Sequence, residues 1–260
     1  MYRDGTPSGA CSFQTQDFPF VPICPKRMYE RDYFILQDTS ALAFGAALPL
    51  FLSSTLPPQG SRPLEYVLAL GKGSYGEIPL PRRKGSRSKG KYYVDWILCH
   101  VKDRRVVEFA AAEVQTIDTT GSYADVIEAL RRGTRVQSTG RRSGLNWENV
   151  NKRILPQLIY KGRLFHREAR NRKGMFFLCP DPVLGSILER LGPSLPTGFA
   201  LQPGAITLVG YKERGDLTLE RARAITTTVG DLGLAFTSPH DLPASGAYGD
   251  AIDTQLRQVL

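Results

Sequence analysis

Cysteine is scarce in this chain: four among 260 residues, at positions 11, 24, 99 and 179. That number and spacing exclude a disulfide framework of the kind that staples small secreted domains. Cys99 and Cys179 fall inside the apolar runs "WILCHV" and "MFFLCP", where a reduced, buried thiol is the default. A reducing, cytoplasmic setting is therefore expected. Long hydrophobic runs are also missing. "ALAFGAALPLFLSS", residues 41 to 54, is too short to span a bilayer and contains Pro49, so the stretch up to residue 56 reads as a buried helix or helix pair. The opening "MYRDGTPSGACS" lacks the basic-then-apolar layout of a signal peptide. No internal repeat is evident. One tempting motif, "GKGSYGEI" at 71 to 78, fits the glycine-rich loop of protein kinases. A kinase also needs a lysine on the next strand, an HRD and a DFG; none of the three is present, which excludes that function.

What the chain does have is basic charge, unevenly placed. Apolar residues make up 42% and charged residues 23%, an ordinary globular composition, and the formal net charge is +9. Residues 82 to 173 hold 22 Lys and Arg against 9 Asp and Glu, so the remainder carries 12 against 16. Basic charge gathered in one third of a chain points to a polyanionic partner. The alternative is a solvated surface that arginine keeps soluble.

Residues 1 to 40 read as an irregular arm followed by an extended segment. "LEYVLAL" (64 to 70) has helical spacing and stops at glycines. "PRRKGSRSKGK" (81 to 91) is a basic loop, and "YYVDWILCHV" (92 to 101) and "VVEFAAAEVQTI" (106 to 117) are strand-like around a "KDRR" turn. "TTGSYADVIEALRRG" predicts a helix with Ser122 as N-cap and Gly133 as stop. "SGLNWENVNKRILPQLIYKG" (143 to 162) predicts a second, amphipathic one with a kink at Pro156. The last third reads as strand ("GMFFLCP"), helix ("PVLGSILERLG"), strand ("AITLVGYK"), helix ("LTLERARAITTT") and a polar tail. Strands and helices alternate without a strict βαβ rhythm, so the expectation is a mixed α/β sheet.

The candidate chemistry lies in "VDWIL" and "AEVQTID". Along an extended strand Glu113 and Gln115 project the same way, and Asp95, on the preceding strand of the predicted hairpin, can pair across to Glu113. Two carboxylates converging within apolar strands need a counter-charge. Hard Mg²⁺, which prefers carboxylate oxygen, is the natural one. Such an ion can polarise a phosphodiester and acidify a bound water. The alternative is that Asp95 and Glu113 are exposed strand ends paired with nearby arginines.

At these residues the chain resembles the PD-(D/E)xK nuclease superfamily, and more narrowly the NotI-type restriction endonucleases. "YYVDWIL", "AAAEVQTIDTTGSY" and "SGLNWENVNKRILPQLIYKG" carry the resemblance, over roughly residues 70 to 165. The ExQ variant, with Gln115 where most of the superfamily has lysine, is its specific mark. The resemblance implies a restriction-endonuclease-like core, a mixed sheet flanked by helices. An N-terminal arm and helical region, residues 1 to 60, would pack on a nuclease core spanning 61 to 260 as one compact unit. It further implies Mg²⁺-dependent cutting of double-stranded DNA at a palindrome by a homodimer, with a cognate DNA methyltransferase protecting the host. Asp95 and Glu113 take the metal-ligand places with the Val114 carbonyl between them, Gln115 takes the lysine place, and Glu77 supplies a further acid. One departure is clear: the NotI enzyme holds iron on four grouped cysteines, whereas here only Cys11 and Cys24 lie in that region. No structural iron or zinc is expected on that ligand count.

DNA contacts are expected from Arg82, Arg83, Lys84, Arg87, Lys89 and Lys91 before Asp95, and from Arg141, Arg142, Lys152 and Arg153 after Gln115. A further basic set is Lys161, Arg163, Arg167, Arg170, Arg172 and Lys173. Such residues supply salt-sensitive affinity; sequence choice needs a few of them on base edges. His100 reads as a strand residue and His166 as a phosphate contact. Two other readings stay open: a structure-specific repair or resolvase nuclease of the same superfamily, and a non-catalytic nucleic-acid-binding module.

Overall fold

The computed structural model describes residues 11–14, 17–18, 20–71, 78–79, 93–121, 124–134, 144–216, 218–238 and 243–259. Two short strands, β1 (Ser12–Phe13) and β2 (Val21–Pro22), lead into helices α1 (Pro25–Met28) and α2 (Glu30–Phe44). Then come β3 (Leu50–Leu52), β4 (Glu65–Gly71), β5 (Trp96–Lys102), β6 (Arg105–Val114) and β7 (Thr119–Thr120). Helix α3 (Ala124–Arg131) and strand β8 (Gly144–Leu145) precede a π turn, Val150–Ile154, which runs straight into α4 (Leu155–Phe165). The remainder is β9 (Met175–Pro180), α5 (Asp181–Leu191), β10 (Ala205–Glu213), β11 (Leu219–Thr228), α6 (Val229–Thr237) and α7 (Ala247–Val259).

Seven strands form one mixed sheet in the order β11-β10-β9-β6-β5-β4-β3. The centre combines an antiparallel meander, β4-β5-β6, with the parallel strands β6, β9 and β10. Both faces are covered. On one, α4, α5 and α6 bring Leu155, Leu158, Leu184, Ile187 and Leu232 onto Ala111, Phe177, Ile206 and Leu208. On the other, α1 and α2 bring Met28, Ile35, Leu36 and Ala43 onto Val67, Trp96, Leu98, Ala112 and Val209. Burial on both faces explains why β9 reads "MFFLCP" with every residue buried, with no polar alternation. The expected mixed α/β sheet flanked by helices is therefore present. Among the described residues no helix is long and apolar enough to cross a membrane.

Several local expectations are overturned. "LEYVLAL" is the inner strand β4, held between β3 and β5 despite its helix-favouring Leu, Ala and Glu. "LTLERARAITTT" is strand β11, paired with β10 over nine positions; its β-branched "ITTT" was the strand signal. In both, ladder pairing outweighs intrinsic propensities of a few tenths of a kcal/mol per residue. Helix α2 ends at Phe44 with Gly45 as its C-cap and already holds residues 34 to 40, after a left-handed break at Arg31, Asp32 and Tyr33, and "LFL" beyond is a strand. Pro156, expected as a kink, is the second residue of α4, one beyond the π turn: it has no N–H to give, and the backbone widens just before it. The proposed N-cap Ser122 and the basic loop 81 to 91 lie outside the described residues.

Candidate functional site: a buried acid pair with a lysine

The β5–β6 hairpin builds the site. Its register pairs Trp96 with Ala112, and one step further stands Asp95 opposite Glu113, at the C-terminal end of β6. Asp95 Oδ2 accepts a hydrogen bond from the Val114 amide at 2.9 Å, and the Asp95 amide donates to Glu113 Oε2 at 3.4 Å. Behind them sits Gly71, the first glycine of "GKGSYGEI" and the last residue of β4. A Cβ there would lie 2.1 Å from the Asp95 carbonyl oxygen and 2.7 Å from the Trp96 ring. That glycine is a close-approach residue, and it sets where the Asp95 backbone can go. Trp96 is fully buried; its indole N–H donates to the Tyr29 hydroxyl at 3.2 Å, and both Tyr29 and Tyr33 meet its ring edge-on.

Glu113 is 8% exposed, and its partner is Lys161 from α4, whose ammonium forms an ion pair with Glu113 Oε1. Lys161 is itself only 5% exposed, so its expected place among surface phosphate contacts is corrected: it is an interior counter-charge. The signal was present. Val150, Ile154, Leu158 and Phe165 form the buried stripe of the π turn and α4, and Lys161 falls in that stripe. Burial, and after it the charge of Asp95, pushes the Glu113 carboxyl up to about 7, with Lys161 opposing both. Burial, followed by the charge of Asp95, also drives the Tyr29 hydroxyl well above its ordinary range. Tyr29 was not anticipated, since nothing in the sequence links residues 67 positions apart.

Asp95 and Glu113 bring carboxylate oxygens together at one end of the hairpin, with Lys161 as the buried counter-charge of Glu113. An all-oxygen donor pair of that kind fits a hard divalent cation, with Asp95 and Glu113 as the residues to hold it. Among the described residues no group of three or more His, Cys, Asp or Glu is placed to hold a metal. Glu77, the further acid, lies outside the described residues. The Gln115 side chain donates to the Thr116 carbonyl at 3.1 Å. The rest of "QTID" ties elements together. Thr116 donates its hydroxyl to the Ile23 carbonyl, and Asp118 accepts from Asn149 at 2.7 Å and Arg153 at 2.8 Å.

Among the candidate DNA contacts, Arg82, Arg83, Lys84, Arg87, Lys89, Lys91, Arg141 and Arg142 lie outside the described residues. Lys152 pairs with Glu148 and Arg153 with Asp118, both at the surface, where such pairs are weak enough to exchange for phosphate. His100 stands on β5 between Glu65 and Glu108, at 2.8 and 3.4 Å, away from the acid pair's end of the strand. His166 lies against Gly204. Cys99 and Cys179 are buried free thiols. No protein-family model matches this chain, and no curated protein matches it.

Proposed function

We propose that the chain is a Mg²⁺-dependent endonuclease with a PD-(D/E)xK core, a restriction enzyme that cuts double-stranded DNA at a palindrome as a homodimer. The observation that carries this reading is the cross-strand pair Asp95–Glu113, held beside Lys161 at the end of a mixed sheet. Bound Mg²⁺ would supply Lewis-acid polarisation of the scissile phosphodiester. The chain's own residues do the rest. Asp95 and Glu113 would hold the cation, and the Val114 amide orients Asp95. Lys161 pairs with Glu113 and opposes the rise that burial and Asp95 impose on its carboxyl. The basic stretches around the site would draw DNA in and hold its backbone.

One observation favours a second reading. A buried Lys–Glu pair can be purely architectural, in which case the chain is a non-catalytic nucleic-acid-binding module. Digestion of a sequenced phage genome with Mg²⁺, followed by mapping of the ends, separates the two. Discrete termini that vanish in Asp95→Ala and Glu113→Ala, with both variants still folded, support the nuclease. Intact DNA under every divalent metal tried supports the binding module. Preference for branched over linear duplex would instead point to a structure-specific repair nuclease.

A further inference from the structure

Away from the acid pair the molecule carries a large cleft. Its volume is about 1160 Å³, and it lies between the C-terminal half of α4, the turn before β10 and the start of α6. By strand register it is a separate place. Gly204, in its wall, sits about four residues below Glu113 along the sheet and two strands across, or about 13 Å by about 10 Å.

The lining is chemically one-sided. Tyr160, Arg163 and Arg167 share one face of α4 and its C-terminal extension at helical spacing, His166 adjoins them, and among the described residues no acidic one lines the cleft. Among the described residues neither arginine forms an ion pair, and both guanidinium-bearing side chains are exposed. Tyr160 is 49% exposed, a large aromatic ring at the rim. The walls are specifically shaped. Gly204 adopts φ +81°, and a Cβ there would lie 2.6 Å from His166 Nδ1, so the glycine lets the imidazole lie against the backbone. Asp231, on the first turn of α6, is tied to the Thr228 hydroxyl at 2.5 Å.

We propose that this cleft binds a nucleoside phosphate, with the phosphate on Arg163 and Arg167 and the base stacked on Tyr160. Two planar guanidinium groups without carboxylate partners match phosphate. A half-exposed aromatic ring beside them suits the π-face of any base. The same chemistry is offered by a free nucleotide and by one residue of a nucleic-acid strand. Because the cleft lies apart from Asp95 and Glu113, the proposal stands whether or not the acid pair cleaves DNA.

The test uses the full chain in EDTA, so that no metal-dependent cutting intervenes. Binding of adenosine monophosphate and of inorganic phosphate is measured by calorimetry, and that of a fluorescein-labelled oligothymidylate by anisotropy. The expected result is saturable binding of the mononucleotide, the oligonucleotide or both, weakened at least about tenfold in Arg163→Ala/Arg167→Ala. Tyr160→Ala should weaken the nucleoside-bearing probes at least about fivefold while leaving inorganic phosphate unchanged. Mononucleotide binding assigns the site to free nucleotides; oligonucleotide binding alone assigns it to a strand. Thermal melts matching the parent show that the variants fold. The proposal is overturned if no nucleoside phosphate binds, if the double variant binds as the parent does, or if Tyr160→Ala changes nothing.

Discussion

Replacing Lys161 with methionine probes how the buried acid pair is balanced. The substitution keeps an unbranched, apolar stem of nearly the same length and removes the ammonium group. In the parent, the Glu113 carboxyl is pushed from an ordinary 4.5 up to about 7, with Lys161 pulling it down. A carboxyl that keeps its proton to higher pH when folded than when unfolded costs stability as pH rises. For the parent this loss runs from about pH 4.5 to about pH 7 and then levels off. Without Lys161 the folded group stays protonated beyond pH 7, and the loss continues at about 1.4 kcal/mol per pH unit. The gap between Lys161→Met and parent should therefore widen as pH rises above about 7, at up to about 1.4 kcal/mol per pH unit. Urea unfolding followed by circular dichroism across that range reads the gap directly. Adding Glu113→Gln removes the titrating group and should make the gap independent of pH. A Lys161→Met protein that tracks the parent at every pH, or a double variant that keeps the slope, refutes the assignment of Lys161 as the counter-charge of Glu113.

Gly71→Ala would drive a methyl group into the Asp95 carbonyl and the Trp96 ring, and a loss of about 1–3 kcal/mol is expected; an unchanged melting temperature by calorimetry would refute the close packing. Tyr29→Phe removes the acceptor of the Trp96 indole N–H and should cost about 1–2 kcal/mol with a shift in tryptophan emission. With a thiol reagent at about pH 8, exposed Cys11 should react at once. Cys179, fully buried, and Cys99, its thiol raised by burial to about 11, should wait for unfolding, and prompt reaction of all four would contradict their burial.

Much of the architecture was legible because local pattern and tertiary role agree. "MFFLCP" and "AITLVGYK" are apolar and largely β-branched or aromatic, and they lie where both sheet faces are covered, as β9 and most of β10. "PVLGSILERLG" has a helical stripe and a glycine stop, and it is α5. The hairpin itself was readable from a short basic turn between two strand-like runs, but its register was not: a bulge between His100 and Val101 shifts the pairing by one residue and brings Asp95 opposite Glu113 in place of Ala112. Where propensity and pairing disagree, the sequence misleads: "LEYVLAL" and the "LERARA" half of β11 are good helix formers that satisfy their backbone in a ladder instead.

The sequence by itself determined the class of fold, the separation of basic from acidic segments, and the identity of the two carboxylates. Tertiary structure alone decided what surrounds them. Lys161 reaches Glu113 across 48 residues, Trp96 reaches Tyr29 across 67, and Gly71 leaves space for the Asp95 carbonyl. The first two arise from the packing of α4 and of the α1–α2 junction on opposite faces of one sheet, and the third from neighbouring strands β4 and β5. Local periodicity says which face of an element is buried, but not which residue of a distant element it will meet.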